Sequence, residues 1–231
     1  MNNLAIIETI LRNRHQFFAE IKQGVKLGQK MKAMLIANLI FLALYGAVMG
    51  SSHSVWQALS SAAKLPLLFL ATLVICSPTL YFFNLLFGSN QSPGQQIALV
   101  LTAVTVTAVL LLSFSPIVLF FLLTTSHYQF FKLLNVVAFA IAGAVGVVFL
   151  VYGMRLMSDA STGTEGTRAR QYVVYLWILV YAFVGSQMAW TLRPFIGAPG
   201  MQFELFRQLG GNFYTNILSS LGEILGFFVV K

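Results

Sequence analysis

The sequence predicts an all-α protein, a polytopic transmembrane helical bundle of about five spans with shorter helices at both ends. Of its 231 residues, 58% are hydrophobic and only 9% are charged, whereas soluble domains carry about 25% charged residues. Between Lys32 and Arg155 the only charged residues are Lys64 and Lys132, which is too few to cover the surface of a soluble fold. The long apolar runs also differ from the alternating segments of about 10 residues that build an outer-membrane barrel.

Residues 1–32 are the first of three predicted regions, a basic amphipathic segment. Leu4, Ile7 and Leu11 begin an apolar stripe with helical spacing, and basic residues occupy much of the remainder. We expect a helix that lies on the cytoplasmic membrane surface or, alternatively, docks on a partner protein. Nucleic acid is not an expected partner, because no recognition motif accompanies the charge. The residues predicted to contact the membrane surface are Arg12, Arg14, Lys22, Lys26, Lys30 and Lys32.

The second region, residues 33–192, is the transmembrane helical domain. Its apolar runs are long enough to cross or nearly cross a hydrocarbon core about 30 Å thick. The predicted spans cover residues 33–49, 65–87, 97–113, 133–154 and 172–192. Residues 55–64 are expected to form a separate short helix at the interface. Pro116 is expected to divide the third apolar run, and residues 157–170 are expected to form a polar loop.

Small residues recur along one side of the fourth span. Ala138, Ala142 and Gly146 are spaced four residues apart, so they share one helix face. Such a face lets a second helix approach closely, which is how helices associate inside a membrane. We expect it to pack against another span of the same chain or, alternatively, against a partner subunit.

The third region, residues 193–231, begins with a segment rich in Gly, Pro and aromatic residues. Its aromatic side chains, framed by two arginines, have the usual composition of a binding hot spot. We expect it to be either an ordered connection over the helix ends or a docking surface for a partner. The predicted partner-binding residues are Arg193, Phe195, Phe203, Phe206, Arg207, Phe213 and Tyr214. The tail, residues 217–230, is short for a crossing, so an interfacial or re-entrant helix is expected.

The distribution of basic residues predicts the orientation in the membrane. With five spans, nine of the 14 Lys and Arg residues lie on the side of the N-terminus. Because cytoplasmic loops carry the excess of positive charge, we expect the N-terminus in the cytoplasm. The composition favours a bacterial inner membrane, with anionic headgroups beside the basic residues.

No constellation in the sequence is typical of an enzyme. The three histidines lack metal-ligand spacing, and the single cysteine, Cys76, has no partner thiol within the chain. We therefore expect no catalytic activity, no metal and no cofactor, with bound lipids as ligands. Hydroxyl and amide groups inside the spans leave a transport pathway as an alternative, although such groups more often hydrogen-bond between helices. These residues are Thr102, Thr105, Thr107, Ser113, Asn135, Ser186 and Gln187.

The sequence resembles bacterial members of the Yip1-like family, which are small five-span membrane proteins. The resemblance rests on the span count, the basic leader and the stretch Lys64-Leu-Pro-Leu-Leu-Phe. The stretch Gly185-Ser-Gln-Met-Ala-Trp190 is also similar to uncharacterised five-span inner-membrane proteins. These resemblances imply membrane organisation or partner binding rather than catalysis. We expect a scaffold or accessory subunit of a membrane complex; the alternatives are a small oligomeric transporter or channel, and a lipid- or pigment-binding subunit.

Overall fold

The structure, a computed structural model, contains eight α-helices and, within the residues it describes, no β-strand. The described residues are 3–86, 91–125, 127–157, 164–197, 202–206 and 211–225. The helices are α1 (Asn3–Arg12), α2 (Arg14–Lys22), α3 (Leu27–Gly50), α4 (Val55–Leu86), α5 (Pro93–Thr124), α6 (Tyr128–Met157), α7 (Thr164–Thr191) and α8 (Phe213–Ile224). The predicted all-α fold class is confirmed.

Five of these helices are long and apolar enough to cross a membrane. A helix of 20 residues rises about 30 Å, which matches the thickness of the hydrocarbon core. The spanning portions are Leu27–Gly50, Val55–Phe83, Pro93–Thr124, Tyr128–Met157 and Tyr172–Thr191. The protein is therefore an integral membrane protein built as a helical bundle, and the predicted number of spans is confirmed.

Successive spans run in opposite directions, with α5 at the centre. α5 packs against both α3 and α6. α4 packs against α3 and also against α7. The first two helices lie at one end of the bundle, which we call the leader end. The opposite end, which we call the far end, carries α8 against α6 and α7.

The apolar stripe of the leader faces the bundle. The stripe is buried in a core cluster shared with α3, α5 and α6. The buried leader residues are Ile6, Ile7, Ile10, Phe17, Phe18 and Ile21. The expectation that this stripe faces the membrane is therefore wrong. The ends of the spans offer an apolar protein surface, and the stripe covers it. Residue 32 is also not a boundary, since α3 begins at Leu27.

Close contact between α3 and α4 depends on two glycines that the sequence analysis missed. A Cβ on Gly46 would collide with the backbone carbonyl of Ser61, and a Cβ on Gly50 would collide with that of Gln57. Gly46 and Gly50 are spaced four residues apart and therefore share one helix face. This spacing, typical of closely packed membrane helices, is the signal by which they could have been found.

Three predicted boundaries differ from the structure. Residues 55–64 form the beginning of α4 rather than a separate helix, and α5 continues through Pro116. α7 begins at Thr164, so the second half of the predicted loop 157–170 is helical. α4 can start early because Ser54 caps it, accepting a hydrogen bond from the backbone N–H of Gln57 at 3.2 Å. Prolines inside membrane helices are tolerated where neighbours satisfy the freed backbone groups.

Candidate functional site

Three polar side chains near the start of α4 point to the same side of the helix. Gln57, Ser61 and Lys64 are spaced four and three residues apart, and all three are buried. Lys64 is only 4% exposed. Buried polar groups of this kind must find hydrogen-bond partners, because leaving them unpaired costs about 1–3 kcal/mol each. Their partners determine the course of the chain after α7.

These side chains hold the backbone that follows α7. Gln57 Nε2 donates a hydrogen bond to the carbonyl oxygen of Pro194 at 2.8 Å, and Ser61 Oγ donates to that of Phe195 at 2.6 Å. Lys64 Nζ donates to the carbonyl oxygens of Pro194, at 3.4 Å, and of Leu205. One lysine therefore joins two separate stretches of this part of the chain. We call the described residues 193–197 and 202–206 the far-end segment.

Cation–π contacts add to this attachment. The Lys64 amine lies 4.8 Å from the centre of the Phe206 ring. The guanidinium carbon of Arg193 lies 3.6 Å from the Trp190 ring at the end of α7. Such contacts contribute about 0.5–2 kcal/mol, more when they are desolvated. Each end of the far-end segment is thus fixed to a spanning helix.

The first part of the far-end segment is also wedged into the core. Ile196 is buried in the far-end core cluster with Tyr45, Leu65 and Phe131, and Phe195 packs against that cluster. Gly197 follows with the ring of His53 so close that no Cβ could be accommodated. The chain is therefore ordered here by apolar burial as well as by hydrogen bonds.

The predicted partner-binding residues divide into two groups. Phe195, Arg193 and Phe213 are partly buried against the bundle. Phe203, Phe206 and Tyr214 are 41%, 57% and 46% exposed. Arg207 lies outside the described residues. The structure thus leaves a set of aromatic side chains uncovered at the far end, on a backbone that is held in place. Sequence analysis missed the anchor, although the spacing of Gln57, Ser61 and Lys64 was visible.

The small-residue face of α6 lies against α5. Thr107 Oγ1 donates hydrogen bonds to the carbonyl oxygens of Ala103, at 3.0 Å, and of Ala142, at 3.3 Å. A Cβ on Gly146 would collide with the Thr107 hydroxyl and lie 2.8 Å from the carbonyl oxygen of Ala103. Ala138 is buried on the same face. Within the chain this face is therefore occupied by a neighbouring span.

Polar groups inside the bundle are mostly engaged in hydrogen bonds. The Tyr45 hydroxyl donates to Asn135 Oδ1 at 3.0 Å, and Asn135 Nδ2 donates to the carbonyl oxygen of Phe131 at 2.8 Å. Asn38, in the middle of α3, differs: it is fully buried, and neither side-chain atom has a hydrogen-bond partner. Among the residues named for a pathway, Thr102, Thr105 and Thr107 have buried hydroxyls that donate to carbonyl oxygens of their own helix.

The other polar residues named for a pathway lie nearer the surface. Ser113 is exposed, whereas Ser186 and Gln187 are half-buried. Ser186 Oγ shares a hydrogen bond with the Tyr214 hydroxyl at 3.0 Å, so it connects α7 to α8. These groups do not lie together with the buried threonines of α5.

The basic residues of the leader have different environments. Arg12 is exposed and forms an ion pair with Glu8 at 2.7 Å, and the guanidinium of Arg14 lies 5.1 Å from the Tyr152 ring. This contact joins α2 to α6. Arg14 is exposed as well, and so are Lys22, Lys26 and Lys32. Their predicted contact with the membrane surface stays a prediction.

Lys30 is the exception among these residues. It is buried, lies 5.4 Å from the Phe17 ring and forms an ion pair with Glu20 at 2.6 Å. The prediction that Lys30 contacts the membrane surface is therefore wrong, because its amine ties α3 to α2. The hydrogen bond from Lys30 holds the pKa of the Glu20 carboxyl below its ordinary value. The ion pair is accordingly retained above that lowered pKa and lost as the pH falls through it.

The histidines do not meet at a common site in the described part of the chain. His15 forms a hydrogen bond with the Tyr152 hydroxyl, with Nε2 at 2.7 Å, whereas His53 packs against Gly197 at the other end of the bundle. Among the described residues, no group of three or more His, Cys, Asp or Glu side chains could hold a metal ion.

Comparisons with known proteins leave the family open. No protein-family model, curated protein or solved structure matches this chain. The resemblance to the Yip1-like family therefore stays a prediction.

Proposed function

We propose that this protein is a non-catalytic subunit of a larger membrane complex, in which it serves as a scaffold or accessory component. The supporting observation is the contrast between the fixed backbone of the far-end segment and its uncovered aromatic side chains. Lys64 and its two neighbours on α4 hold the backbone from the buried side. Phe203 and Phe206 nevertheless remain exposed.

A surface of this kind is suited to bind a partner protein. Aromatic side chains offer a large contact area for few rotatable bonds, and an ordered backbone loses little further entropy on binding. The polar groups of the anchor are already hydrogen-bonded within the chain. We therefore propose that the partner contacts the aromatic side chains and leaves the anchor intact.

The proposed setting is a bacterial inner membrane with the N-terminus in the cytoplasm. Exposed Lys22, Lys26 and Lys32 at the leader end support this orientation, because basic residues concentrate on the cytoplasmic side. Anionic headgroups are the proposed partners of these lysines. The far-end segment would then face the periplasm, where it meets the periplasmic side of its partner subunit.

Purification from native membranes in mild detergent tests the proposed function. We expect one or more membrane proteins to co-purify in fixed stoichiometry, identified by mass spectrometry. Truncation of a hot-spot residue costs about 2 kcal/mol, or about a 30-fold loss of affinity. Phe203→Ala should therefore strongly reduce the recovery of the partner. Phe82→Ala, which removes an exposed ring from α4 toward the leader end, is the matched control and should leave recovery unchanged.

Lys64→Met tests whether partner binding needs the ordered backbone of the far-end segment, since it leaves the aromatic side chains in place. It removes the amine that joins the carbonyl oxygens of Pro194 and Leu205, so the far-end segment should loosen. We expect faster cleavage after Glu204 by glutamyl endopeptidase together with reduced partner recovery. Recovery of a lone, monodisperse protein, or equal partner recovery with Phe203→Ala and Phe82→Ala, would contradict the proposed function.

A further inference from the structure

One face of α8 binds α6 through polar side chains. Asn216 Oδ1 accepts a hydrogen bond from Lys132 Nζ at 2.9 Å, and Glu223 accepts one from Gln129 Nε2 at 2.8 Å. Ser220, between them, is buried. Residues 216, 220 and 223 are spaced four and three residues apart, so they lie on one helix face. This face contacts the beginning of α6, with Ser220 buried and Glu223 exposed.

The opposite face of α8 is apolar and uncovered. Leu218 and Leu221 are 66% and 44% exposed, and Leu225, at the end of the helix, is 60% exposed. Together with Tyr214 these residues recur at intervals of four, three and four, which places them in one row. An amphipathic helix on a water-exposed surface has the reverse arrangement, with apolar residues inward and polar residues outward. The row that faces away from α6 is therefore suited to an apolar exterior, while Thr215 and Ser219 form an exposed polar flank beside it.

The contacts of α8 place it at the depth of the membrane boundary. The Tyr214 ring stacks on Phe183 of α7 with ring centres 6.4 Å apart, and its hydroxyl meets Ser186. Both α7 residues belong to a membrane-spanning portion. Lys132 and Gln129, on the other side, lie in the first turns of the spanning helix α6. α8 thus bridges the far ends of α6 and α7, and its leucine row continues the exposed apolar surface of the spans.

We propose that α8 lies in the far leaflet of the membrane, with its leucine row embedded among lipid acyl chains. The charge pattern fits this occupant, because the row contains no ionisable side chain except the Tyr214 phenol. Asn216 and Glu223 accept hydrogen bonds from side chains of α6. α8 therefore remains in the membrane through its attachment to α6 and α7 rather than through basic residues that bind headgroups. By covering the far ends of α6 and α7, it joins α7 to the rest of the bundle.

Spin-label accessibility of the purified protein alone, in phosphatidylcholine–phosphatidylglycerol vesicles, tests this proposal. Single cysteines are introduced at Leu218 and Leu221 in a Cys76→Ser background and labelled with a nitroxide. Oxygen, which concentrates in lipid, is compared with a water-soluble nickel chelate as the relaxing agent. Labels at Ser219, on the exposed polar side of α8, and at Val148, on the exposed surface of the spanning helix α6, are the matched controls.

We expect both leucine positions to resemble Val148, with an oxygen-to-nickel accessibility ratio several-fold above that at Ser219. A ratio equal to that at Ser219 would place the row in water and overturn the proposal. Immobile labels inaccessible to both agents would show a second copy of this chain covering the row and would overturn it as well. Because no partner is present in the vesicles, the outcome is independent of the co-purification experiment.

Discussion

Gly146→Ala tests whether α5 and α6 approach as closely as the structure shows. The added Cβ would lie 2.8 Å from the carbonyl oxygen of Ala103 and would collide with the hydroxyl of Thr107. Thr107 cannot rotate away freely, because it donates to the carbonyl oxygens of Ala103 and Ala142. The backbone oxygen can give way only if the two helices separate. Overpacking of this kind costs about 1–3 kcal/mol.

Gly143→Ala is the matched control, one turn earlier on the same helix. A Cβ there meets no atom within 4 Å, so we expect a neutral effect or a stabilisation of up to about 1 kcal/mol from the lower backbone entropy of the unfolded chain. For a chain of 231 residues, 1 kcal/mol corresponds to about 2–4 °C in Tm. Gly146→Ala should therefore lower the Tm by about 2–12 °C, whereas Gly143→Ala should leave it unchanged or raise it slightly.

A thiol-reactive fluorescent dye can report this Tm in detergent. The chain has one cysteine, Cys76, and it is buried in α4. The dye therefore reacts only as the bundle opens, and the same probe serves both variants. Equal Tm values for Gly146→Ala and Gly143→Ala would refute the close α5–α6 contact, since the two substitutions differ only in what the new methyl group meets.

Two further pairs of variants test the buried polar groups. Glu20→Gln leaves the buried Lys30 amine without its carboxylate, so proteolysis of the leader should accelerate. Glu8→Gln removes an exposed ion pair and should change the rate of leader proteolysis little. Acidification through the lowered pKa of Glu20 should accelerate leader proteolysis in the unmodified protein, as Glu20→Gln does. Asn38→Leu replaces an unpaired buried amide and should raise the Tm. Asn135→Leu should lower the free energy of unfolding by about 1–3 kcal/mol, because its partners lose their hydrogen bonds; the same dye should therefore report a lower Tm. A lowered Tm for Asn38→Leu, or equal leader proteolysis in Glu20→Gln and Glu8→Gln, would contradict these expectations.

The fold could be predicted because the governing signal is local. Long runs without charge have few alternatives to a membrane-spanning helix, and the five runs of the sequence correspond to the five long helices. The boundaries were harder, as α4 shows. The second span was expected to begin at residue 65, yet Pro66 lies inside α4, which starts at the cap provided by Ser54. A proline specifies where a backbone N–H is missing, not whether a neighbouring group compensates for it.

The position of the leader could not be predicted, because an amphipathic stripe shows that an apolar face is covered but not by what. Membrane lipid and protein satisfy the same pattern. In the structure the cover is protein: a Cβ on Gly153 of α6 would lie 2.5 Å from the ring of Phe18. Nothing in the local sequence connects residues so far apart along the chain. Only the assembled bundle shows that the surface offered by α6 fits the leader.

The far-end anchor was hidden for a related reason. The acceptors of Gln57 and Ser61 are backbone carbonyl oxygens of Pro194 and Phe195. Every residue has such an oxygen, so the sequence carries no signal that selects these two. What the sequence does show is three polar side chains at helical spacing within an apolar chain. Such spacing requires partners, and it therefore indicates that another part of the chain, or another molecule, lies there.

Three lysines inside spanning helices share one structural role. Lys30 of α3 binds Glu20 of α2, Lys64 of α4 binds the far-end segment, and Lys132 of α6 binds Asn216 of α8. By position alone, near the ends of spans, each would be assigned to lipid headgroups. An amine that is removed from water at the edge of a bundle must instead be matched by acceptors from the chain. Apolar burial alone would let the non-spanning segments slide over the helix ends, because it is non-directional. Each lysine, whose hydrogen bonds are directional, fixes one such segment at a defined place, and this is what a rigid docking surface requires.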